Sequence, residues 1–179
     1  MLLCTFFVHQ NAKSQTLAAG DIAFIGYNTS PLDGFSFITL KDIPAGTVIY
    51  FTERGWGNGT WVAGSTESHL QWIVPGPGVT PVGTVVSVME TAPDTFTVTG
   101  TTGIGYAAGY SGFNLSAGDQ ILAYQSASGV LPILPNLPTF IAGVHGEYNS
   151  ADYDATTKWN LSTTSGGPGS ALPLGLTMV

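Results

Sequence analysis

Four times along this chain, a short turn ending in Gly-Asp or Gly-Thr opens onto a six-residue run of strand-like composition. Leu17-Ala-Ala-Gly-Asp leads into IAFIGY, and Ile43-Pro-Ala-Gly-Thr into VIYFTE. Thr80-Pro-Val-Gly-Thr leads into VVSVME, and Leu115-Ser-Ala-Gly-Asp into QILAYQ. Glycine supplies the positive φ or tight bend that such a turn requires. Each run that follows has the length and composition of a strand. With 24 Gly and 11 Pro, nearly every run stops before helical length. No window sustains apolar residues at i, i+3 and i+4, so little or no helix is expected. The spacing between the four turns is irregular, which excludes a solenoid of fixed period.

Further strands are expected over 35–40, 70–74, 96–99 and 139–144. The run IAFIGY is apolar on both faces, as a central strand would be. Short strands with turn signals at close spacing predict an all-β fold, a β-sandwich of immunoglobulin-like type. Three stretches read as loops: 55–68 is Gly-rich with Trp56 and Trp61, 130–138 carries three prolines, and 147–159 concentrates acids and aromatics. The Gly/Ser/Pro-rich stretch 161–179 reads as a tail or as the truncated end of the domain, which itself spans 16–160.

Residues 1–15 read as a secretory signal peptide: MLLCTFFV is a short apolar run, and HQNAKSQ after it is small and polar. The run is too short to span a bilayer. No basic residue precedes it, so a start upstream is expected. The only cysteine, Cys4, falls inside this segment. The mature chain then has no disulfide, thiolate or Cys-ligated zinc, and packing must hold it together. A secreted or cell-surface protein without direct membrane insertion is the expectation.

Charge narrows the partners. The 179 residues include only four Lys+Arg, and the formal net charge is −7. Nucleic acid and anionic lipid both need clustered cations, so neither is an expected partner. Charged residues make up 8% of the chain against a usual figure of about 25%. Hydrophobic residues make up 44%, enough to bury a core.

Catalytic signals are thin. No Gly-x-Ser-x-Gly elbow occurs, and His69 and His145 are expected on partly exposed loop or strand ends. Glu53, Glu67, Glu90 and Glu147 are the candidates for a glycosidase pair. Glu53 next to Arg54 suggests a local ion pair instead. A structural Ca²⁺ is the one cofactor considered, with Glu147, Asn149, Asp152 and Asp154 as ligands. An ordinary polar loop with Asx turns explains the same residues.

Glycan recognition is the leading functional expectation. Apolar sugar faces pack on aromatic rings, and sugar hydroxyls pair with acids and amides. Trp56 and Trp61 in one loop, and Tyr148, Tyr153 and Trp159 in another, are the candidate binding residues. Large aromatics are usually buried, so the competing reading makes Trp56, Trp72 and Trp159 core residues. A surface protein is an alternative partner. Self-association through poorly protected strand edges, as a surface-layer or filament subunit, is a second class. A secreted hydrolase is the third.

The run LAAGDIAFIGYNTSPLDGFSFITLKDIPAGTVIYFTERGW, with GFNLSAGDQILAYQ and FIAGVHG, resembles secreted modules of Bacteroidetes-type surface proteins. It is also similar to lamin-tail-like domains, which are immunoglobulin-type sandwiches. The resemblance covers about residues 17–160 and rests on turns and strands, so it transfers no catalytic residue. It implies a non-catalytic accessory or adhesive role by association. The chain stops where such modules continue, so the resemblance implies a truncated domain.

Overall fold

The computed structural model describes residues 15–62, 67–99, 103–116, 118–127, 136–146, 154, 156–157, 159–160 and 169–177. Residues 1–14 of the expected signal peptide lie outside these, as does most of the 130–138 and 147–159 loops. Among the described residues the chain is all-β, without a helix. In chain order the strands are β1 (Ile22–Thr29), β2 (Asp33–Thr39), β3 (Ile43–Pro44), β4 (Val48–Thr52), β5 (Trp56–Gly57) and β6 (Thr60–Trp61). They continue with β7 (His69–Ile73), β8 (Val79–Thr80), β9 (Val85–Ala92), β10 (Thr95–Thr99), β11 (Ile104–Tyr106), β12 (Gln120–Gln125) and β13 (Thr139–His145).

All eight runs expected from the sequence are strands. The four turn glycines, Gly20, Gly46, Gly83 and Gly118, have φ of 88°, 80°, 83° and 110°. A residue with a Cβ is strained there, which explains the recurrent Gly before each strand. The strands that composition does not reveal are β3, β5, β6, β8 and β11. Each is two or three residues long, too short to show a period.

Two antiparallel sheets form a sandwich. One has the order β1-β2-β9-β10, and the other β11-β7-β4-β12-β13. Register puts Tyr27, Phe35, Val88 and Val98 in one row across the first sheet. Tyr106, Leu70, Phe51, Ala123 and Ala142 form the facing row across the second. These rows meet in the main core. Phe51 is central to it, with its ring 4.9 Å from Phe35, 5.2 Å from Phe37 and 6.2 Å from Phe24. Trp72 lies against Phe37 at 5.3 Å and is wholly buried.

The outer edges are irregular. Ile25 is a bulge residue on β1, and Ile141 is one on β13. A bulge twists an edge and breaks its ladder, which hinders pairing with another chain. The Ile141 bulge also lets its carbonyl accept from Gly20 N at 2.9 Å, which ties the two sheets together at that corner.

Removing the Phe51 ring leaves a cavity against three other rings. Phe51→Ala should lower the unfolding free energy by about 3–5 kcal/mol, whereas Ile25→Thr at the exposed bulge should cost under about 0.5 kcal/mol. Urea denaturation of both variants checks this; similar losses in the two would refute the placement of the core.

Candidate functional site

The second sheet is buried on its outer face as well. Register aligns Gln71, Tyr50, Tyr124 and Phe140 there, beside a row of His69, Thr52, Leu122 and Gly143. The β5–β6 hairpin lies over these residues. Its turn uses Asn58 and Gly59 at φ of 52° and 78°, which folds Trp61 back opposite Trp56. The two indoles meet edge-on at 5.1 Å. Trp56 also packs on Phe140 at 5.0 Å, and Trp61 on Tyr124 at 5.1 Å. Together with Leu122 and Trp159 they form a second core.

This corrects the expected aromatic platform. Trp56, Trp61 and Trp159 are 3%, 9% and 4% exposed. A ring must show a face to stack on a sugar, and Trp56 and Trp61 spend theirs on the sheet beneath. Tyr148 and Tyr153 lie outside the described residues. Of the stretch 161–179, expected as a tail or as an end of the domain, the described part, 169–177, packs on the domain. Ala171 N donates to Trp56 O at 2.8 Å, Trp56 N donates to Ser170 Oγ at 3.0 Å, and Leu172 and Leu176 pack on the second core.

The expected Ca²⁺ ligands Glu147, Asn149 and Asp152 lie outside the described residues. Asp154 accepts from Thr156 N at 2.8 Å and from the Thr157 hydroxyl at 2.9 Å. These bonds make an Asx-type turn and hold its carboxyl below the ordinary range. No group of three His, Cys, Asp or Glu placed to hold a metal occurs among the described residues.

His69 is fully buried rather than at an exposed strand end, because Tyr110, Trp61 and Tyr124 surround its ring. The Thr52 hydroxyl donates to Ser68 O at 2.7 Å, so it can only accept from the imidazole. The His69 Nε2–H therefore points at Thr52 Oγ1 across 3.5 Å, and Nδ1 accepts from the Tyr124 hydroxyl at 2.9 Å. Burial, with Arg54 nearby, pushes the His69 pKa down to about 3. The ring is a neutral packing group.

Glu53 is 2% exposed, and its carboxylate accepts from Ser68 N at 3.1 Å and Asn114 N at 2.8 Å. Its backbone carbonyl accepts from Gln120 Nε2. Burial, helped by Glu67 and Asp119, pushes its pKa up to about 8 despite those two N–H donors. The expected ion pair with Arg54 does not form. Successive side chains leave an extended chain on opposite sides, and Arg54 Nε and Nη2 both donate to Val62 O, at 3.0 and 2.8 Å. Glu90 is likewise committed to backbone, accepting from Asp33 N and Asp94 N at 3.3 Å each.

An open concavity lies at the corner between β1 and β13. It is a cleft of about 400 Å³ lined by Ile22, Phe24, Ile141, Trp159, Leu172 and Leu176 among others. Among the described residues no lining side chain is charged, and Thr177 supplies the one side-chain hydroxyl. Trp159 reaches it by lying on Gly143, where an added Cβ would sit 3.0 Å from the indole. Of the binding residues expected from sequence, Trp159 alone is described at this cleft. Leu172 and Leu176 had no signal in a Gly/Ser/Pro-rich stretch.

Comparison with family models, with curated proteins and with solved structures finds no match to this chain.

Glu53 and His69 tie stability to pH in opposite directions. The folded state holds the Glu53 proton more tightly than the unfolded chain, so this stability is full below pH 4.5 and falls as pH rises to about 8. The folded state disfavours protonated His69, so that contribution is full above pH 6.5 and falls as pH drops to about 3. Each slope is about 1.4 kcal/mol per pH unit, and the two cancel where they overlap. Urea denaturation from pH 3 to 9 should therefore give a plateau between 4.5 and 6.5 with a decline on either side. In Glu53→Gln the alkaline decline should disappear; its persistence would assign it elsewhere. Trp61→Ala should cost about 3–5 kcal/mol, as a core truncation does; a loss under about 0.5 kcal/mol would return Trp61 to the surface.

Proposed function

We propose that this chain is a non-catalytic, secreted or cell-surface recognition module whose binding surface is the cleft beside Trp159. One observation carries the reading: Glu53 and His69 are buried and bonded to neighbouring protein groups, while the open concavity is lined, among the described residues, by uncharged side chains and backed by an indole. His69 and Glu53 face the interior, so neither meets a substrate. The lining offers one hydroxyl, Thr177. It suits an extracellular glycan presented by its apolar C–H face, packed on the half-buried Phe24, Leu172 and Leu176, with the buried Trp159 backing the cleft. The likeness to lamin-tail-like accessory modules belongs to the same proposal.

Assembly through strand edges has less support. The outward edges β1 and β13 both carry bulges, and β11 is three residues long.

Retention of the folded chain on a panel of insoluble polysaccharides tests the proposal. Selective retention on one polymer is expected, with Leu176→Arg weakening it at least about fivefold, on the order of 1 kcal/mol. Leu176 is partly exposed but packs on the second core, so the variant loses some stability, and retention is compared at a temperature where circular dichroism shows it folded. No retention by the folded chain, or equal retention by Leu176→Arg, would sink the glycan reading at this cleft.

A further inference from the structure

One end of the sandwich is closed by the 112–116 loop, and side chains hold that loop almost entirely. Five consecutive backbone N–H groups donate to side-chain oxygens. Gly112 N reaches Asp94 Oδ1 at 2.9 Å, and Phe113 N reaches the Tyr106 hydroxyl at 3.1 Å. Asn114 N reaches Glu53 Oε2 at 2.8 Å, Leu115 N reaches Asp33 Oδ2 at 2.6 Å, and Ser116 N reaches Asp119 Oδ2 at 2.6 Å. The acceptors come from separate places: the β9–β10 turn, the end of β11, the residue after β4, the start of β2 and the residue before β12. The Tyr106 hydroxyl in turn donates to Asp94 Oδ1 at 3.0 Å, which couples the first two anchors.

The loop is a plug. Phe113 and Leu115 are 2% and 1% exposed and belong to the main core, with Phe113 5.5 Å from Phe96 and 6.2 Å from Phe35. Between them Asn114 is exposed and bonded through its N–H. The Tyr27 hydroxyl donates to the carbonyls of Ser116 and Asp119, both at 3.1 Å, and fixes the far end.

We infer that the 112–116 loop is a pH-responsive plug, latched by acidic side chains and released as one unit in alkaline solution. Glu53 is the anchor that titrates. Facing it are Glu67 from the segment before β7, Asp119 from before β12 and the phenol of Tyr27 on β1. Asp33 adds to the field on Tyr27. The neighbouring cation, Arg54, turns its guanidinium onto Val62 O. Ionising Glu53 thus places a buried negative charge among carboxylates, with no cation bonded to it among the described residues. The bonds from Ser68 N and Asn114 N favour the ionised form but do not offset its burial, so the carboxylate reaches water by opening of the loop, which exposes Phe113 and Leu115.

Amide hydrogen exchange from pH 5 to 9, corrected for intrinsic exchange, tests this on the intact chain. Protection of the amides of residues 112–116 should fall together, about tenfold or more between pH 6.5 and 9, and should stay well below that of Ile49–Phe51 and Ile121–Ala123 at every pH. In Glu53→Gln the loop should be less protected throughout, because an amide nitrogen cannot accept, and its protection should no longer depend on pH. Asp94→Asn should loosen Gly112 while leaving the pH dependence in place. A flat pH profile in the unaltered chain would overturn the proposal, as would protection of 112–116 as high as that of β4 and β12, which would mean exchange only through global unfolding. Abolition of the pH dependence by Asp94→Asn would remove Glu53 as its origin.

Discussion

The five-stranded sheet is apolar on both faces, and most of the architecture follows from covering it. Its inner face, through Phe51, Leu70, Trp72 and Ile121, is met by the four-stranded sheet. Its outer face, through Tyr50, Leu122, Tyr124 and Phe140, needs a second cover. No third sheet is described for that face. A two-strand hairpin and the 169–177 segment do the work instead, supplying Trp56, Trp61, Leu172 and Leu176. Leaving such rings in water would forfeit roughly 25 cal/mol for each Å² of apolar surface. That pull takes the tryptophans inward and makes the C-terminal segment part of the domain.

The scarcity of charge gives the few acids a specific use. Carboxylates that are not needed for solubility serve as hydrogen-bond acceptors for loop backbone. Asp33, Glu53, Asp94 and Asp119 together satisfy four amides of one loop that no strand pairs. Buried N–H groups must find partners, and a loop crossing the end of a sandwich has no ladder to offer them. The same placement, by burial, raises the carboxyls of Asp33 and Glu53 above the ordinary range. Structural networks shift pKa values by the same desolvation that active sites use.

Much of the fold was legible because strand and turn signals are local. Gly20, Gly46, Gly83 and Gly118 mark positive-φ positions, and each precedes a strand where the sequence suggested one. The candidate site was far less legible. A Gly-rich loop holding Trp56 and Trp61 reads as exposed, and only the outer row of Tyr50, Tyr124 and Phe140 reveals where those rings go. Glu53 beside Arg54 reads as an ion pair until strand geometry sends the two side chains apart. Asp33 and Glu53 are distant in sequence from the amides they hold, so no window contains both donor and acceptor.

The sequence by itself determined an all-β chain, its eight longer strands and the turns that start four of them. Short-range sterics decide these, through glycine at positive φ and runs of strand length. Tertiary structure decided which face each aromatic covers, which carboxylate meets which amide, and where a cleft stays open. Those outcomes depend on residues far apart in the chain being brought together, since burial and desolvation exist only once two surfaces meet.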